Sequence, residues 1–167
     1  LKYINMSDNI NQNFTILIPT LNEEKNIKRL IETILSLYPS INITVIDDGS
    51  TDDTVKLVNE FNDVVSLINR KHNQIKGLSI SIKDGIFSVK TKYFMVIDGD
   101  FQHPPEAIQE AITCSDENPK FIIGYRIKVE EWPFLRKLMS QGAKFLATVS
   151  LLFRRKKVPK DIMSGFF

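Results

Sequence analysis

Apolar residues recur along the chain in two alternating rhythms. Phe14-Thr15-Ile16-Leu17-Ile18 is a short, continuous apolar run halted at Pro19, which predicts a buried strand. Thr20-Leu21-Asn22-Glu23 then matches a capping box, and Ile27, Leu30, Ile31, Ile34 and Leu35 follow at helical spacing. Ile41 to Ile46 predicts a second strand, ending in Asp47-Asp48-Gly49-Ser50. Ser50-Thr51-Asp52-Asp53 predicts a helix start, with Val55, Val58 and Phe61 as the core face. Val64 to Ile68 predicts a third strand, and Leu78, Ile82, Ile86 and Val89 the apolar face of another helix. Tyr93 to Ile97 predicts a fourth strand, with Ala107, Ile108, Ala111 and Ile112 on one side of the helix after it. Phe121-Ile122-Ile123 predicts a fifth strand.

Strands alternating with helices, each strand apolar throughout, argue an α/β fold. Its sheet is mostly parallel and covered by helices on both faces. Such sheets bind ligands beyond the carboxyl ends of their strands. Three unusual loops fall at those ends: Pro19–Glu23, Asp47–Ser50 and Asp98–Gln102. The third is the most informative. Asp98 and Asp100 stand at i and i+2 of a strand end, so their carboxylates point the same way. Two such carboxylates repel unless a cation sits between them. A hard divalent ion with oxygen ligands, Mg²⁺ or Mn²⁺, suits the pair and keeps positions for phosphate oxygens. The other reading is one capping Asp and one solvated Asp. Neither a GxGxxG nor a Walker A sequence is present.

Composition adds bounds. The chain has 167 residues, 43% hydrophobic and 25% charged, which suits a globular domain with a real core. Its one cysteine, Cys114, excludes an internal disulfide and is expected to be a free, buried thiol in a reducing compartment. Leu1 to Asn13 is polar and Asn-rich, reads as an extension, and shows no signal-peptide pattern. No apolar run approaches the roughly 20 residues that span a bilayer. The net charge of +2 hides an asymmetry. Residues 1–119 carry 11 Lys and Arg against 17 Asp and Glu, a balance of −6. Residues 120–167 carry 11 against 3, a balance of +8. A cation site beside an anion-binding surface fits that division.

Leu135, Leu138, Met139, Gly142, Phe145, Leu146 and Val149 form a helical stripe that runs on into Leu151-Leu152-Phe153 and Arg154-Arg155-Lys156-Lys157. It reads either as a core helix with a solvated basic end or as an amphipathic helix resting on a membrane surface. The basic half lacks the interleaved aromatic platform of a nucleic-acid binder, so no nucleic-acid partner is expected.

Ile18-Pro19-Thr20-Leu21-Asn22-Glu23, Val45 to Asp52 and Asp98 to Glu106 stand in an order and spacing that resemble family 2 glycosyltransferases of the GT-A fold. The branch they most resemble is the dolichol-phosphate (polyprenyl-phosphate) mannosyltransferases. Trp132 to Lys137, with Ser140, Gly142 and Ala143, and the closing Ser164-Gly165-Phe166 resemble that branch too. The resemblance implies a Rossmann-like GT-A domain over residues 14–167. The chain stops at Phe167 where the family's domain continues, so a C-terminally truncated domain is expected.

The resemblance also implies roles. Pro19, Leu21 and Glu23 match the loop around a nucleotide-sugar donor, with Leu21 where Tyr is common. Asp47 and Asp48 match the acidic pair near base and ribose, helix capping being the other reading of Asp48. Asp98, Asp100 and Gln102 match the metal-site residues, and Asp98 borders the donor as well. His103 is expected to be a turn or capping residue and not a ligand, because a hard ion prefers oxygen. Arg126, Arg136 and Ser140 match the acceptor-phosphate site, so Asp100 and Arg126 are the residues implied for catalysis. Lys76 or Arg70 is a further candidate near phosphate. The expected reaction is inverting transfer of a hexose, mannose above others, from GDP-mannose or a UDP-hexose to polyprenyl phosphate. It is expected at the cytoplasmic face of a membrane, with the chain peripheral to it. Transfer to a saccharide hydroxyl, or a non-catalytic nucleotide-sugar-binding fragment, are the alternatives.

Overall fold

The computed structural model describes residues 12–101 and 103–115. Four parallel strands alternate with four helices: β1 Phe14–Thr20, α1 Ile27–Leu37, β2 Asn42–Asp47, α2 Thr54–Asn59, β3 Val65–Asn69, α3 Leu78–Ser88, β4 Tyr93–Val96 and α4 Ala107–Ser115. The sheet order among the described residues is β3-β2-β1-β4. β1 pairs with β2 from Thr15↔Asn42 to Thr20↔Asp47 and with β4 from Phe14↔Tyr93 to Leu17↔Val96. The α/β class and the parallel sheet match the periodicity. The expected fifth strand and the long helical stripe after it lie outside the described residues.

The connections explain where a ligand can sit. β1-α1-β2-α2-β3 moves steadily toward one edge, and the chain then returns across the sheet to place β4 on the far side of β1. Right-handed crossovers put α1 and α2 on one face and α3 on the other. The direction of winding therefore reverses between β1 and β4. Open α/β sheets bind ligands at such a reversal, in the crevice beyond the carboxyl ends of the strands. The Pro19–Glu23 and Asp98–Asp100 segments both leave the sheet at this crevice.

Ile16, Leu17, Ile18, Val45, Ile46, Val96 and Ile97 fill the core from the sheet, and Ile27, Leu30, Ile31 and Ile34 from α1. Burying such a side chain contributes roughly 1.5–3 kcal/mol. From α4, Ile108, Ala111 and Ile112 are buried, as expected.

Four local expectations are corrected. Pro19 does not halt β1, which runs on to Thr20. Leu17 accepts from Ile97 on the β4 side. Two residues on, Pro19 faces the same side where β4 has already left, so its missing N–H interrupts no ladder. Thr20-Leu21-Asn22-Glu23 is no capping box, because Thr20 ends the strand and α1 begins at Ile27 after Asn26. The buried face of α3 is Ser81 and Gly85, while Leu78 is 59% exposed and Ile86 is exposed too. A Cβ on Gly85 would lie 3.0 Å from Ile46 Cδ1 and 3.3 Å from Leu17 Cδ1, so small residues let this helix lie close on the sheet. Cys114 is exposed rather than buried.

Candidate functional site

Three strand ends and the loops after them build the site. β1 delivers Pro19-Thr20-Leu21-Asn22-Glu23, and β2 delivers Asp47-Asp48-Gly49-Ser50 beside it, since Thr20 pairs with Asp47 and the Asp48 N–H donates to the Thr20 carbonyl at 3.0 Å. Side chains then stitch the two loops together. The Asn22 N–H donates to Ser50 Oγ at 2.9 Å, and the Thr51 N–H donates to Asn22 Oδ1 at 2.9 Å. The Glu23 N–H donates to Thr54 Oγ1 at 2.8 Å, and the Glu24 N–H to Asp52 Oδ2 at 3.1 Å. Asn22 takes φ +59°, a left-handed conformation that Asn tolerates better than most residues. These bonds join residues 28 to 31 apart in sequence, so no local pattern announces Asn22, Ser50 or Thr54 as loop-building residues.

The acidic pair divides its work. Asp47 is fully buried, and its carboxylate accepts from the N–H groups of Gly49 at 3.0 Å and Ser50 at 2.9 Å and from the Ser50 hydroxyl. It therefore shapes the loop from beneath. Asp48 lies higher. One of its oxygens pairs with the Arg70 guanidinium, and the other accepts from the Gly77 N–H at 2.6 Å. Asp52 anchors the start of α2 through the Thr54 hydroxyl at 2.6 Å and the Thr54 N–H at 3.0 Å. Burial raises its carboxyl pKa. The bonds from Thr54 and Glu24 outweigh that and hold it below the usual value.

Leu21 is 55% exposed, an apolar side chain presented at the rim, and Pro19 is half-buried. Glu23 reaches the third loop: a Cβ on Gly99 would meet Glu23 Cγ and Thr20 Cγ2 at 3.4 Å each. Asp98-Gly99-Asp100 thus sits against the β1 loop at the reversal of winding. Phe101 turns the chain at φ +61°, with the Arg29 guanidinium 5.0 Å from its ring. His103 is buried beside Asp98, Nδ1 to Oδ2 3.7 Å. The Tyr38 hydroxyl donates to the Pro105 carbonyl at 3.3 Å, tying this turn to the end of α1, and burial pushes its pKa up.

Among the described residues no group of three or more His, Cys, Asp or Glu is placed to hold a metal ion. β4 ends at Val96, so Asp98 and Asp100 stand in the turn after the strand and not on it, and the shared direction expected of a strand end is not imposed by a strand here. Their carboxylate oxygens are still the donor type that a hard divalent ion takes beside phosphate oxygens and water. Gln102, the third expected metal-site residue, lies outside the described residues, as do Arg126, Arg136 and Ser140 of the expected acceptor site. Arg70 is not placed as an open phosphate contact: it is 1% exposed and holds Asp48 and Asp84. The Lys76 ammonium, on an exposed residue, is taken up by the carbonyls of Arg70 and Lys71.

A cleft of about 580 Å³ lies toward the β3 edge, between α2 and the ends of β2 and β3, lined by Asp47, Ser50, Val55, Lys56, Asn69 and Lys71 among others. Of the residues expected to bind the donor, only Asp47 borders it. The crevice between β1 and β4 is the better candidate centre, because the β1 loop and the Asp98–Asp100 loop meet there.

The chain matches known proteins over most of its length. A dolichol-phosphate mannosyltransferase of Pyrococcus furiosus is 35% identical over 159 residues, covering 92% of this chain and 45% of that protein. A UDP-N-acetylglucosamine–dolichyl-phosphate N-acetylglucosaminyltransferase of Methanococcus voltae is 27% identical over 152 residues, 78% of this chain and 60% of that protein. The chain thus spans about half the length of these curated relatives. Among solved structures, glucosyl-3-phosphoglycerate synthase from Mycobacterium tuberculosis, in complex with Mn²⁺, UDP and phosphoglyceric acid, gives a TM-score of 0.53 at 18% identity. The match covers 70% of this chain and 45% of that one, and is a likeness of fold. The family model for glycosyl transferase family 2 matches residues 15–166, and the chain therefore belongs to that family.

Proposed function

We propose that the protein is an inverting glycosyltransferase that moves a hexose, mannose above others, from a nucleotide sugar to a polyprenyl (dolichyl) phosphate. The observation that carries the proposal is the 35% identity, over 92% of this chain, to a dolichol-phosphate mannosyltransferase. The site geometry supports it: a stitched acidic loop pair stands against the turn Asp98-Gly99-Asp100.

The donor's nucleoside is taken up by Pro19, Leu21, Glu23 and Asp48, over a loop shaped by Asp47. Leu21 offers an apolar surface to a base, and a carboxylate such as Asp48 accepts from a ring N–H or a ribose hydroxyl. Asp98 and Asp100, with Gln102, would hold Mg²⁺ or Mn²⁺, which when bound offsets charge on the departing nucleoside diphosphate. A solved structure of similar fold contains Mn²⁺ with UDP. Transfer to a hydroxyl needs a general base. A lipid phosphate is already an anion, so its attack needs cations to hold it instead. Arg126 and Arg136, with Ser140, are proposed to grip it, since Arg binds phosphate bidentately. No helix among the described residues is long and apolar enough to cross a membrane. The membrane contact, proposed at the cytoplasmic face, is assigned to the apolar stripe and basic residues after 120 on their sequence pattern.

The N-acetylglucosaminyltransferase relative makes UDP-N-acetylglucosamine a second donor to test. The experiment incubates the whole protein with GDP-mannose, UDP-glucose or UDP-N-acetylglucosamine, with and without polyprenyl phosphate, and follows radiolabel into the lipid phase. Label from one donor that depends on the lipid supports the proposal. Label passing only to soluble saccharides, or to nothing, overturns it.

A further inference from the structure

Arg70 is the largest fully buried side chain among the described residues that carries a charge, and its surroundings are built around it. Nη1 donates to Asp48 Oδ1 and, at 2.8 Å, to Ser81 Oγ. Nε donates to Asp84 Oδ2 at 2.8 Å, and Nη2 to the Ile75 carbonyl at 2.8 Å. Its own N–H donates to the Asp47 carbonyl at 2.8 Å, and its carbonyl accepts from the Asn73 N–H at 2.9 Å and from the Lys76 ammonium. One side chain thereby ties the end of β2, the exposed loop Lys71–Gly77 and helix α3 into one piece. Gly77, at φ +126°, closes the ring by donating to the other oxygen of Asp48.

A buried ion pair is a poor stability device, because desolvation consumes most of what the attraction returns. What the arrangement does secure is position. The Asp48 carboxylate is held from two sides, yet each oxygen uses only one of its lone pairs in these bonds, so it can still accept from a ligand. We propose that Arg70, with Asp84 behind it, is a positioning residue of the donor site. It presets the Asp48 carboxylate for the nucleotide, with the loop Lys71–Gly77 locked behind it through the Gly77 N–H. The inference rests on the proposed reading of Asp48 as a nucleotide contact. Asp84, whose side chain is 34% exposed, is the adjustable end of the chain Asp84–Arg70–Asp48.

The test is calorimetric titration of GDP and of UDP, with Mn²⁺, into the whole protein and its Asp48→Asn, Arg70→Lys and Asp84→Asn variants, with melting temperatures alongside. Asp84→Asn keeps the size of a partly exposed residue and so gives a folded probe should Arg70→Lys fail to fold. It is expected to weaken nucleotide binding about tenfold. The Asp48→Asn/Asp84→Asn double variant is expected to bind no more weakly than Asp48→Asn alone, because the two act as a unit. A residue with a merely structural role would lower the melting temperature without that non-additivity. Wild-type binding with no loss in Asp84→Asn, or losses that simply add, overturns the positioning role. Wild-type binding untouched by Asp48→Asn overturns instead the reading of Asp48 on which it rests. No binding by the wild type overturns the donor site as a whole.

Discussion

Gly49 lies in the left-handed region at φ +99°, and a Cβ there would come within 2.8 Å of the Lys76 ammonium. The ammonium is the free end of a flexible chain and can move, but the backbone cannot. Gly49→Ala is therefore expected to cost about 1–2 kcal/mol from conformation. Most of that cost should persist in a Lys76→Ala background, and urea denaturation of the single and double variants separates the two contributions. Asp52 makes a second residue-scale prediction. Burial works to raise its folded pKa, but hydrogen bonds from Thr54 and Glu24 outweigh that and hold it below the usual carboxylate value. A depressed carboxyl contributes stability that is fully present above the unfolded pKa and is lost as pH falls through the folded one. Asp52→Asn should thus be less stable than wild type at neutral pH, and the gap should shrink below about pH 4. A gap that stays constant down to pH 2 would contradict this account.

At the scale of elements, periodicity and apolar runs placed all four described strands within a residue or two, because parallel strands covered on both faces, β1 and β2 above all, read as near-continuous apolar runs. It placed the crevice loops as well, since each is a break in that rhythm at a strand's carboxyl end. The rhythm failed where small residues do the packing. Leu78, Ile82 and Ile86 form an apolar stripe on α3, yet Ser81 and Gly85 face the sheet, one bonded to Arg70 and the other lying on Ile46 and Leu17. Hydrophobicity cannot signal a face chosen for close approach and for a buried guanidinium. The stitching of the β1 and β2 loops was invisible for a different reason: its hydrogen bonds exist only once Thr20 and Asp47 are in register. Gly85 gives this scale its prediction. Gly85→Ala gains helix propensity, roughly 1 kcal/mol, against contacts that must give by a few tenths of an ångström. Gly85→Val adds bulk without room and should cost about 1–3 kcal/mol through overpacking. Thermal melts that rank Val above Ala would show that α3 does not depend on this close contact.

At the scale of the whole molecule, charge separates the proposed steps. The donor residues and the proposed metal site lie in the half with a balance of −6, and the residues proposed to bind lipid phosphate in the half with +8. Binding of a nucleoside diphosphate to an acidic surface is unfavourable without a cation to offset both charges. Donor binding should therefore require Mg²⁺ or Mn²⁺, fail in excess chelator, and lose its metal-dependent part in Asp100→Asn. Association of the basic half with anionic vesicles needs no metal. It should weaken as salt rises, because exposed charges are screened over a Debye length of about 8–10 Å at 0.10–0.15 M. The two dependences should be separable in one preparation. Chelator should abolish heat release on GDP or UDP titration and leave vesicle sedimentation intact, while 0.5 M NaCl should release the vesicles and spare most of the metal-dependent nucleotide binding. Equal nucleotide affinity in chelator would remove the metal from the donor site. Sedimentation insensitive to both salt and anionic lipid would remove the membrane from the basic half, and with it the physical reason for a lipid phosphate as the acceptor.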